Sequence, residues 1–583
     1  MQTTWRVCAQ SHAGRYNLKS LSHNTITKGA IMAVKIATSS ASAYPYPLLI
    51  KQLLLTPLAV APNQVITYQG RVRHTYREFN ERISRLANGL AKLGVEAGQT
   101  VAVMDWDSHR YLECFFAVPM MGAILQTVNV RLNPEQILYT LNHAKADVLL
   151  VNKEFMAILE QILPRLESIK TLVVLSDEGD IAHTVARFAA EYESMLAAAE
   201  PEFSFPDFDE NAQATTFYTT GTTGEPKGVF FSHRQLVLHT LACAAALGGA
   251  LSQGHIHRED VYMPLTPMFH VHAWGFPYLA TMMGLKQVYP GRYQPDLICK
   301  LVAEEGVTFS HCVPTIFHVV LSHPLAKATD FSKWKILIGG SAMPESMAVA
   351  AQKLGIDLFT GYGMSETCPV LTIAHLTSDH LARTAEEQAV IRAKTGRPLP
   401  LVDLRIVDPA MKDVVHDGKA TGEVVVRSPW LTQGYVGAAE TSEALWAGGY
   451  LHTADIGNID AAGYLKVTDR VKDVIKTGGE WTSSLQLEDI IAKHEAVHEV
   501  AVIGVADEKW GERPLALVLL KQEHVGKITE HALRHYAAHA IEASGVSRYG
   551  VLLQVRFVKT LVKTSVGKMN KRLMRADPDA LCI

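Results

Sequence analysis

The segment running from Tyr218 to Gly228, YTTGTTGEPKG, gathers four Thr, three Gly and one Lys into a single short loop between the β-like runs AQATTF and VFFSHRQ. Small residues such as Gly221 and Gly224 let backbone amides close around an anion. The hydroxyls of Thr219, Thr220, Thr222 and Thr223 add donors, and Lys227 adds a positive charge. The spacing departs from the G-x-x-x-x-G-K-[ST] phosphate loop, so phosphate contact here is expected from a loop of another kind. Further along, Gly361 and Gly363 flank Tyr362, whose flat face suits a planar ring, and Met364 and Ser365 lead on to Glu366. A carboxylate oxygen is the hard ligand that Mg²⁺ prefers beside phosphates. Lys568 lies in a Gly-flanked turn, TSVGKMNK, from which a long ammonium chain could reach a neighbouring site. Each feature has an ordinary alternative when taken singly: a plain turn, a core tyrosine, a helix-capping Glu, a surface lysine. Lys571 is read as such a solvated lysine.

These residues need strand ends and turns to hold them. From about Thr100 the chain alternates β-rich runs (TVAVMDWD, ADVLLVN, VTFSHC, KILIGG, IDLFTGYG) with amphipathic stretches (HRYLECFFAVPMMGAIL, PEQILYTLNHA, VPTIFHVVL, MPESMAVAAQKLG). That rhythm predicts βαβ units and parallel sheets, because each crossover needs a helix to bring the next strand back alongside. Between Leu401 and Pro429, LVDLRIVD and TGEVVVRSP lack long intervening helices and suggest a small barrel or antiparallel sheet. Beyond DRVKDVIKTGGE the order is helix (LQLEDIIAKH), strands (HEVAVIGVA, RPLALVLL), helix (TEHALRHYAAHAIEA) and a strand across YGVLLQVRFVKT. The fold class expected is α/β: a large N-terminal domain of parallel sheets flanked by helices plus a small β-barrel, and a small mobile α+β C-terminal domain. The boundaries expected are 1–31 for a disordered extension, 32–471 and 472–583.

Composition narrows the function classes. The chain of 583 residues carries 55 Lys+Arg and 58 Asp+Glu, a net charge of −3, so it offers no polycation for nucleic acid. Its length and 48% hydrophobic content exceed what one core normally supports. Seven dispersed cysteines without a C-x-x-C pair suggest neither zinc site nor disulfide framework, and point to a reducing, cytoplasmic home. The uncharged stretch from Val261 to Leu285 is long enough to span a bilayer, but Pro264, Pro267, Pro277, His270 and His272 argue for a buried soluble segment and no transmembrane span. Residues 1–31 contain Arg6, Arg15, Lys19 and Lys28 and no acid; an extension preceding an internal start at Met32 is preferred over an organellar transit peptide.

The loop YTTGTTGEPKG resembles the signature of the adenylate-forming superfamily, which contains acyl-CoA synthetases, peptide-synthetase adenylation domains and luciferases. Four further segments agree in order: GGSAMP, GYGMSET, YLHTADIGNIDAAGYLKVTDRVKDVIKTGGE and KTSVGKMNK. The resemblance extends from about Ala61 to Arg575, and PMFHVHAWG with GGEWTSSLQLED is most similar to medium- and long-chain fatty acyl-CoA synthetases. It implies a carboxylic acid, ATP and coenzyme A as substrates, Mg²⁺ as metal, and a possible homodimer through the N-terminal region. Activation converts the carboxylate into acyl-AMP with release of pyrophosphate, after which the thiol displaces AMP. Charge develops on oxygen in both steps, so cations, a metal and amide donors are expected rather than a catalytic triad.

The resemblance implies roles residue by residue. Lys568 would bridge the carboxylate and α-phosphate, Glu366 and Thr220 would hold the metal, and Thr219, Gly221, Thr222, Thr223, Gly224 and Lys227 would cradle phosphate. Gly340, Ser341, Gly361, Tyr362, Gly363, Met364 and Ser365 would surround adenine, Asp455 would accept from both ribose hydroxyls, and Arg470 would help hold ribose or phosphate. The charged run from Asp469 to Glu480 becomes an interdomain hinge with Lys472 at its pivot. Gly478 and Gly479 would line the path of coenzyme A, and Lys476 and Trp481 would touch nucleotide only in a closed form. On the acyl side, His270, Val271 and Trp274 occupy the pocket entrance, with Trp274 as a gate and Cys312, Val313 and Pro314 nearer the wall. No acidic residue in the entrance segment pairs with a substrate ammonium, which disfavours an amino acid. Ser365 stands where Thr is common, Thr360 where Gln is frequent, and His272 is unusual. A fatty acid is the leading substrate; a short, branched, sulfur-containing or aryl acid is the alternative, and a catalytically silent binding protein the reading from another class.

Overall fold

The computed structural model describes residues 35, 37–177, 186–219, 225–251, 254–477, 480–544, 548–563 and 569–581. The expected extension over residues 1–31 lies outside them. The chain divides into two compact units, Met1–Tyr46 and Pro47–Ile583. In the first, the described residues form a turn at 41–42, and the rings of Tyr44 and Tyr46 meet in a T-shaped contact with centroids 5.6 Å apart.

The second unit holds four sheets among the described residues. A seven-stranded sheet runs Ala190–Glu191, Thr171–Leu175, Val148–Asn152, Thr100–Met104, Ile124–Thr127, Gln213–Thr219, Lys227–Ser232. It is parallel except at its last pair. Thr100–Met104 and Val148–Asn152 are buried at every position, as befits strands covered on both faces. A nine-stranded sheet runs Arg397–Pro398, Val370–Ile373, Asp357–Gly363, Lys335–Ile338, Phe309–Cys312, Val261–Leu265, Lys286–Tyr289, Val65–Tyr68, Val72–Thr75, with a parallel centre and antiparallel edges. The expected βαβ rhythm is therefore realised in two sheets. Helix His109–Met120 is buried at all twelve positions, and its Phe115 and Phe116 pack on Tyr278 at 5.4 and 5.5 Å.

Local signals start the helices, two of which, Tyr76–Lys92 and His233–Gly248, the sequence pattern did not mark. Thr75 and Glu78 form a capping box ahead of Tyr76–Lys92, and Ser232 with Gln235 does the same for His233–Gly248. Asn133 caps Pro134–His143, with proline at the first helical position. The long uncharged stretch is cut into strand Val261–Leu265, the turn Val271–Gly275 and helix Phe276–Met283. Among the described residues no helix is long and apolar enough to cross a membrane.

Asp403–Val407 and Gly422–Arg427 join Leu451–Ile459 and Leu465–Arg470 in a four-stranded antiparallel sheet, one of the two forms expected there. A turn at 471–473 leads to the last sheet: Glu480–Thr482, Ile475–Thr477, Gly511–Leu520 and Val497–Asp507, with Gln554–Phe557 alongside Gly511–Leu520. That last strand is shorter than the run YGVLLQVRFVKT suggested. Its first part coils as Arg548–Leu552 and seats Val551 on the core containing Leu533, Ala537 and Ile541, so only four residues pair with the sheet.

Candidate active site

The carboxyl ends of the central strands carry the motifs, as expected for open α/β sheets. Gln213–Thr219 ends at the Thr/Gly loop, Lys335–Ile338 at Gly340 and Ser341, and Asp357–Gly363 at the turn containing Glu366. Thr220, Gly221, Thr222, Thr223 and Gly224 lie outside the described residues, as do Gly478, Gly479 and Lys568. Thr219 and Lys227, at the base of the loop, face each other as an antiparallel pair.

Asp455 ties three elements together. Tyr362 donates its hydroxyl hydrogen to Asp455 Oδ2 at 2.6 Å, and Arg470 Nε stands 3.3 Å from Oδ1. Asp455 and Arg470 are register partners on neighbouring strands, whereas Tyr362 arrives from the nine-stranded sheet. The Asp455 backbone amide donates to Thr453 Oγ1 at 3.1 Å, and Ala454 adopts a left-handed φ of 56° to aim the carboxylate. A carboxylate held between a phenol and a guanidinium is a strong acceptor, suited to hydroxyl donors. Gly363 is required by close approach: a Cβ there would overlap the Pro369 carbonyl oxygen. Met364 donates its amide hydrogen to Thr367 Oγ1, which closes the turn Ser365–Thr367 and sets Glu366.

Glu366 is buried, and Oε1 accepts from the Tyr435 hydroxyl at 2.7 Å. Among the described residues its Oε2 takes no hydrogen bond. Lys227 Nζ stands 4.9 Å from the Tyr435 ring centroid, which links the strand after the Thr/Gly loop to Glu366. The Thr432 amide donates to the Glu366 carbonyl, while Thr432 Oγ1 donates to Phe230, so the Trp430–Tyr435 segment straps the two motifs together. The sequence reading missed Tyr435; a Gly-Tyr pair beside a Trp between two strands was its available trace. Tyr435→Phe removes the donor to Glu366 and should lower stability by about 1–2 kcal/mol. It should also raise KM for MgATP severalfold while largely sparing kcat, which steady-state kinetics and calorimetry check.

Val271 and Trp274 are buried and His270 is half-buried. Val271, His272, Ala273 and Trp274 have φ of 43°, 58°, 47° and 59°, four consecutive left-handed residues before Gly275 at 75°. Such a conformation costs roughly 1–2 kcal/mol per non-glycine residue, so the turn is strained. Trp274 packs on the end of strand Lys335–Ile338: a Cβ at Gly339 would lie 2.9 Å from its Cη2. Strand alternation turns His311, rather than Cys312, toward it. The His311 and Trp274 ring centroids are 5.2 Å apart, whereas Cys312 packs with Met263, Ile338 and Phe317 on the opposite side.

His272 is enclosed by Phe115, Phe217, Phe231 and Tyr278, and among the described residues neither ring nitrogen has a hydrogen-bond partner. Burial pushes it down to about 3, with His239 contributing. The folded imidazole is thus neutral at pH 5 while the unfolded one is charged. Unfolding takes up a proton, and the associated stability is complete above about pH 6.5 and lost as pH falls toward 3. His272→Phe should flatten the acid side of the stability curve by about 1.4 kcal/mol per pH unit near pH 5. At neutral pH it should add about 1 kcal/mol by removing two orphaned nitrogens. An unchanged slope in calorimetry between pH 4.5 and 7 would contradict this.

Lys472 lies in the turn at 471–473, and its ammonium is lowered by burial and by Arg470. Lys476 and Trp481 pair across Ile475–Thr477 and Glu480–Thr482, on the last sheet rather than on the elements carrying Tyr362, Glu366 and Asp455. Lys571 corrects the surface reading. It is 7% exposed, donates to Ser484 Oγ at 2.7 Å and pairs with Glu488 at 2.7 Å, because the helix Lys571–Ala576 opens against Ser484–Ala492. His74, His109 and Glu113 bring ligand atoms within 4.8 Å of one another, but both Glu113 oxygens already accept from Arg82, and one also from Tyr192.

Comparison with known proteins agrees with this arrangement. The AMP-binding enzyme family matches residues 57–436, and the AMP-binding enzyme C-terminal domain matches residues 486–568. A long-chain-fatty-acid–CoA ligase of Thermus thermophilus is 40% identical over 510 residues, 86% of this chain and 90% of that one. A 3-methylmercaptopropionyl-CoA ligase of Ruegeria lacuscaerulensis is 35% identical, covering 87% and 93%. A medium-chain-fatty-acid–CoA ligase of Ectopseudomonas oleovorans is 33% identical, covering 86% and 90%. The fold is similar to that of the anthranilate CoA ligase AuaEII in complex with anthranoyl-AMP, with TM-score 0.79, 23% identity, and 91% and 98% of the two chains covered. With the motif-bearing strand ends gathered around Asp455 and Glu366, and with relatives matched along most of its length, this chain belongs to the AMP-binding enzyme family and is an AMP-forming acid–thiol ligase.

Proposed function

We propose that the protein is a fatty acid–CoA ligase. The fatty carboxylate attacks the α-phosphorus of ATP, pyrophosphate leaves, and the thiol of coenzyme A then displaces AMP from the acyl-adenylate. The observation that carries this reading is the junction of Tyr362, Asp455 and Arg470, a ring face, a strong acceptor and a cation drawn from separate elements. Asp455 accepts from the ribose hydroxyls beside Tyr362, and Lys227 and the loop that follows Thr219 hold phosphate. Gly340 and Ser341 border the base, and Lys568 bridges the carboxylate and α-phosphate.

The residues present fit Mg²⁺: Glu366 offers a hard oxygen, Oε2, in a buried setting, with its other oxygen fixed by Tyr435. Thr220 completes the protein's share. When bound, the ion neutralises phosphate charge and orients the leaving pyrophosphate.

The turn at 471–473 acts as the pivot between an N-terminal domain of residues 32–471 and a mobile domain of residues 472–583. The pivot lets Lys568 withdraw before coenzyme A enters past Gly478 and Gly479. Lys472→Pro should slow thioester formation from supplied acyl-AMP at least tenfold more than acyl-AMP formation; equal effects on the two half-reactions would remove the hinge. The five described cysteines are all free and buried, which supports a cytoplasmic home. A homodimer belongs to the same proposal, and sedimentation of the purified chain checks it.

The test of function is a panel of carboxylic acids, followed by pyrophosphate release with and without coenzyme A. AMP and acyl-CoA should appear with medium or long aliphatic acids. ADP and orthophosphate as the sole nucleotide products would overturn the reading. The 3-methylmercaptopropionyl-CoA ligase relatives favour a second reading, a short sulfur-containing acid, and the same panel separates the two.

A further inference from the structure

His311 is a buried polar group beside the acyl entrance that the reaction above leaves unused. It sits on strand Phe309–Cys312 with no exposed surface. Its ring lies 5.2 Å from Trp274, 4.7 Å from Phe276 and 5.7 Å from Tyr262, centroid to centroid. Its Nε2 is 2.8 Å from the Tyr262 hydroxyl. Among the described residues Nδ1 has no hydrogen-bond partner.

The tautomer follows from counting donors. If Nε2 carried the hydrogen, it would donate to the Tyr262 oxygen, and both the phenolic hydrogen and the Nδ1 lone pair would be stranded. If Tyr262 donates to Nε2, one group alone is stranded, an Nδ1–H donor. Burial pushes His311 down to about 3, so the ring is neutral at physiological pH and offers a hydrogen bond rather than a charge. A buried donor without a partner is destabilising and calls for an acceptor supplied from outside the chain.

Of the three aromatic walls, Trp274 is the one held in a strained turn. Phe276 and Tyr262 belong to a regular helix and strand, whereas Trp274 is the last of four consecutive non-glycine residues in left-handed conformation and packs against Gly339. An acyl chain that displaces the indole then lies against His311.

Resting on the reading of Val271 and Trp274 as the acyl entrance, we propose that His311 is a specificity-determining residue whose Nδ1–H donates to an oxygen carried on the aliphatic chain of the acid. The substrate class is thereby an oxygen-bearing fatty acid, with a hydroxyl, keto or ether oxygen. A saturated chain presents no acceptor and a thioether sulfur only a weak one, so both leave the donor stranded.

The test is an oxygen scan on the purified full chain. Saturated acids of five to nine chain atoms are compared with ether analogues in which each methylene in turn is replaced by oxygen, and with the matching thioethers. The readout is kcat/KM for coenzyme A-dependent AMP release. At one oxygen position the ether acid should exceed its saturated and thioether counterparts roughly tenfold. His311→Phe should abolish that ratio, taken within the variant between ether and saturated acids, and His311→Gln, which restores an N–H donor, should return part of it. Equal kcat/KM for ether and saturated acids at every position in the native protein overturns the inference, as does an unchanged ratio in His311→Phe. If that variant does not fold, the native scan decides alone. AMP from no acid in the panel overturns the ligase reading itself, and this inference with it.

Discussion

Lys568→Ala should lower acyl-adenylate formation by at least roughly 10²–10³-fold while thioester formation from supplied acyl-AMP keeps nearly its full rate. The carboxylate attack brings two anions together at the α-phosphorus, and the ammonium assigned to Lys568 by resemblance offsets their repulsion as the bond forms. Nothing of the kind is required when a thiol displaces AMP, so the effect should separate the half-reactions. The described residues on either side of Lys568 are firmly anchored. Lys563 and Met569 form a β-bridge, Asn570 donates its amide hydrogen to Val562, and Lys571 is buried against Ser484 and Glu488. A variant that loses only the ammonium should therefore retain its fold. Isotope exchange between pyrophosphate and ATP measures the first step, and AMP release from synthetic acyl-AMP measures the second. Equal losses in both would show that Lys568 does not act on the α-phosphate.

Glu366→Ala should have the next largest effect. Its carboxylate is buried, Tyr435 orients it from one side, and the proposed function makes it the metal's ligand. Removing it discards the proposed metal ligand and strands the Tyr435 hydroxyl. The substitution should lower kcat for adenylation roughly 10²-fold and move half-saturation to much higher Mg²⁺, together with a stability loss of about 1–3 kcal/mol. Glu366→Gln should keep most of the stability, because the amide oxygen still accepts from Tyr435, but should not recover the Mg²⁺ dependence. A Mg²⁺ titration unchanged in both variants would end the metal assignment.

The parts of the site legible in the sequence were those carried by short contiguous motifs. A Thr/Gly loop between two strands, a Gly-Tyr-Gly turn and an HTADIG strand each hold their chemistry within a few residues. The helix starts at Thr75, Asn133 and Ser232 are local in cause, because a cap bonds only two or three residues ahead, but the structure was needed to show them. Tyr435 escaped notice because its meaning is a contact with Glu366, 69 residues away. Lys571 looked like a surface lysine for the same reason: its partners Ser484 and Glu488 precede it by more than eighty residues, and burial cannot be read from residue type. His311 was passed over for its neighbour Cys312, since a strand's two faces alternate and the strand alone does not say which face meets Trp274.

By itself, the order of residues determined the βαβ rhythm, the family resemblance and which groups are expected at the nucleotide, because strand and loop propensities and short motifs act over neighbours along the chain. Only the tertiary structure decided which charges are buried, that Asp455 is shared between Tyr362 and Arg470, and that the His311 imidazole lies against Trp274. Those outcomes depend on sheets closing over one another and on water being excluded between them. Desolvation and hydrogen-bond partnership are properties of the assembled interior, and distant segments settle them jointly.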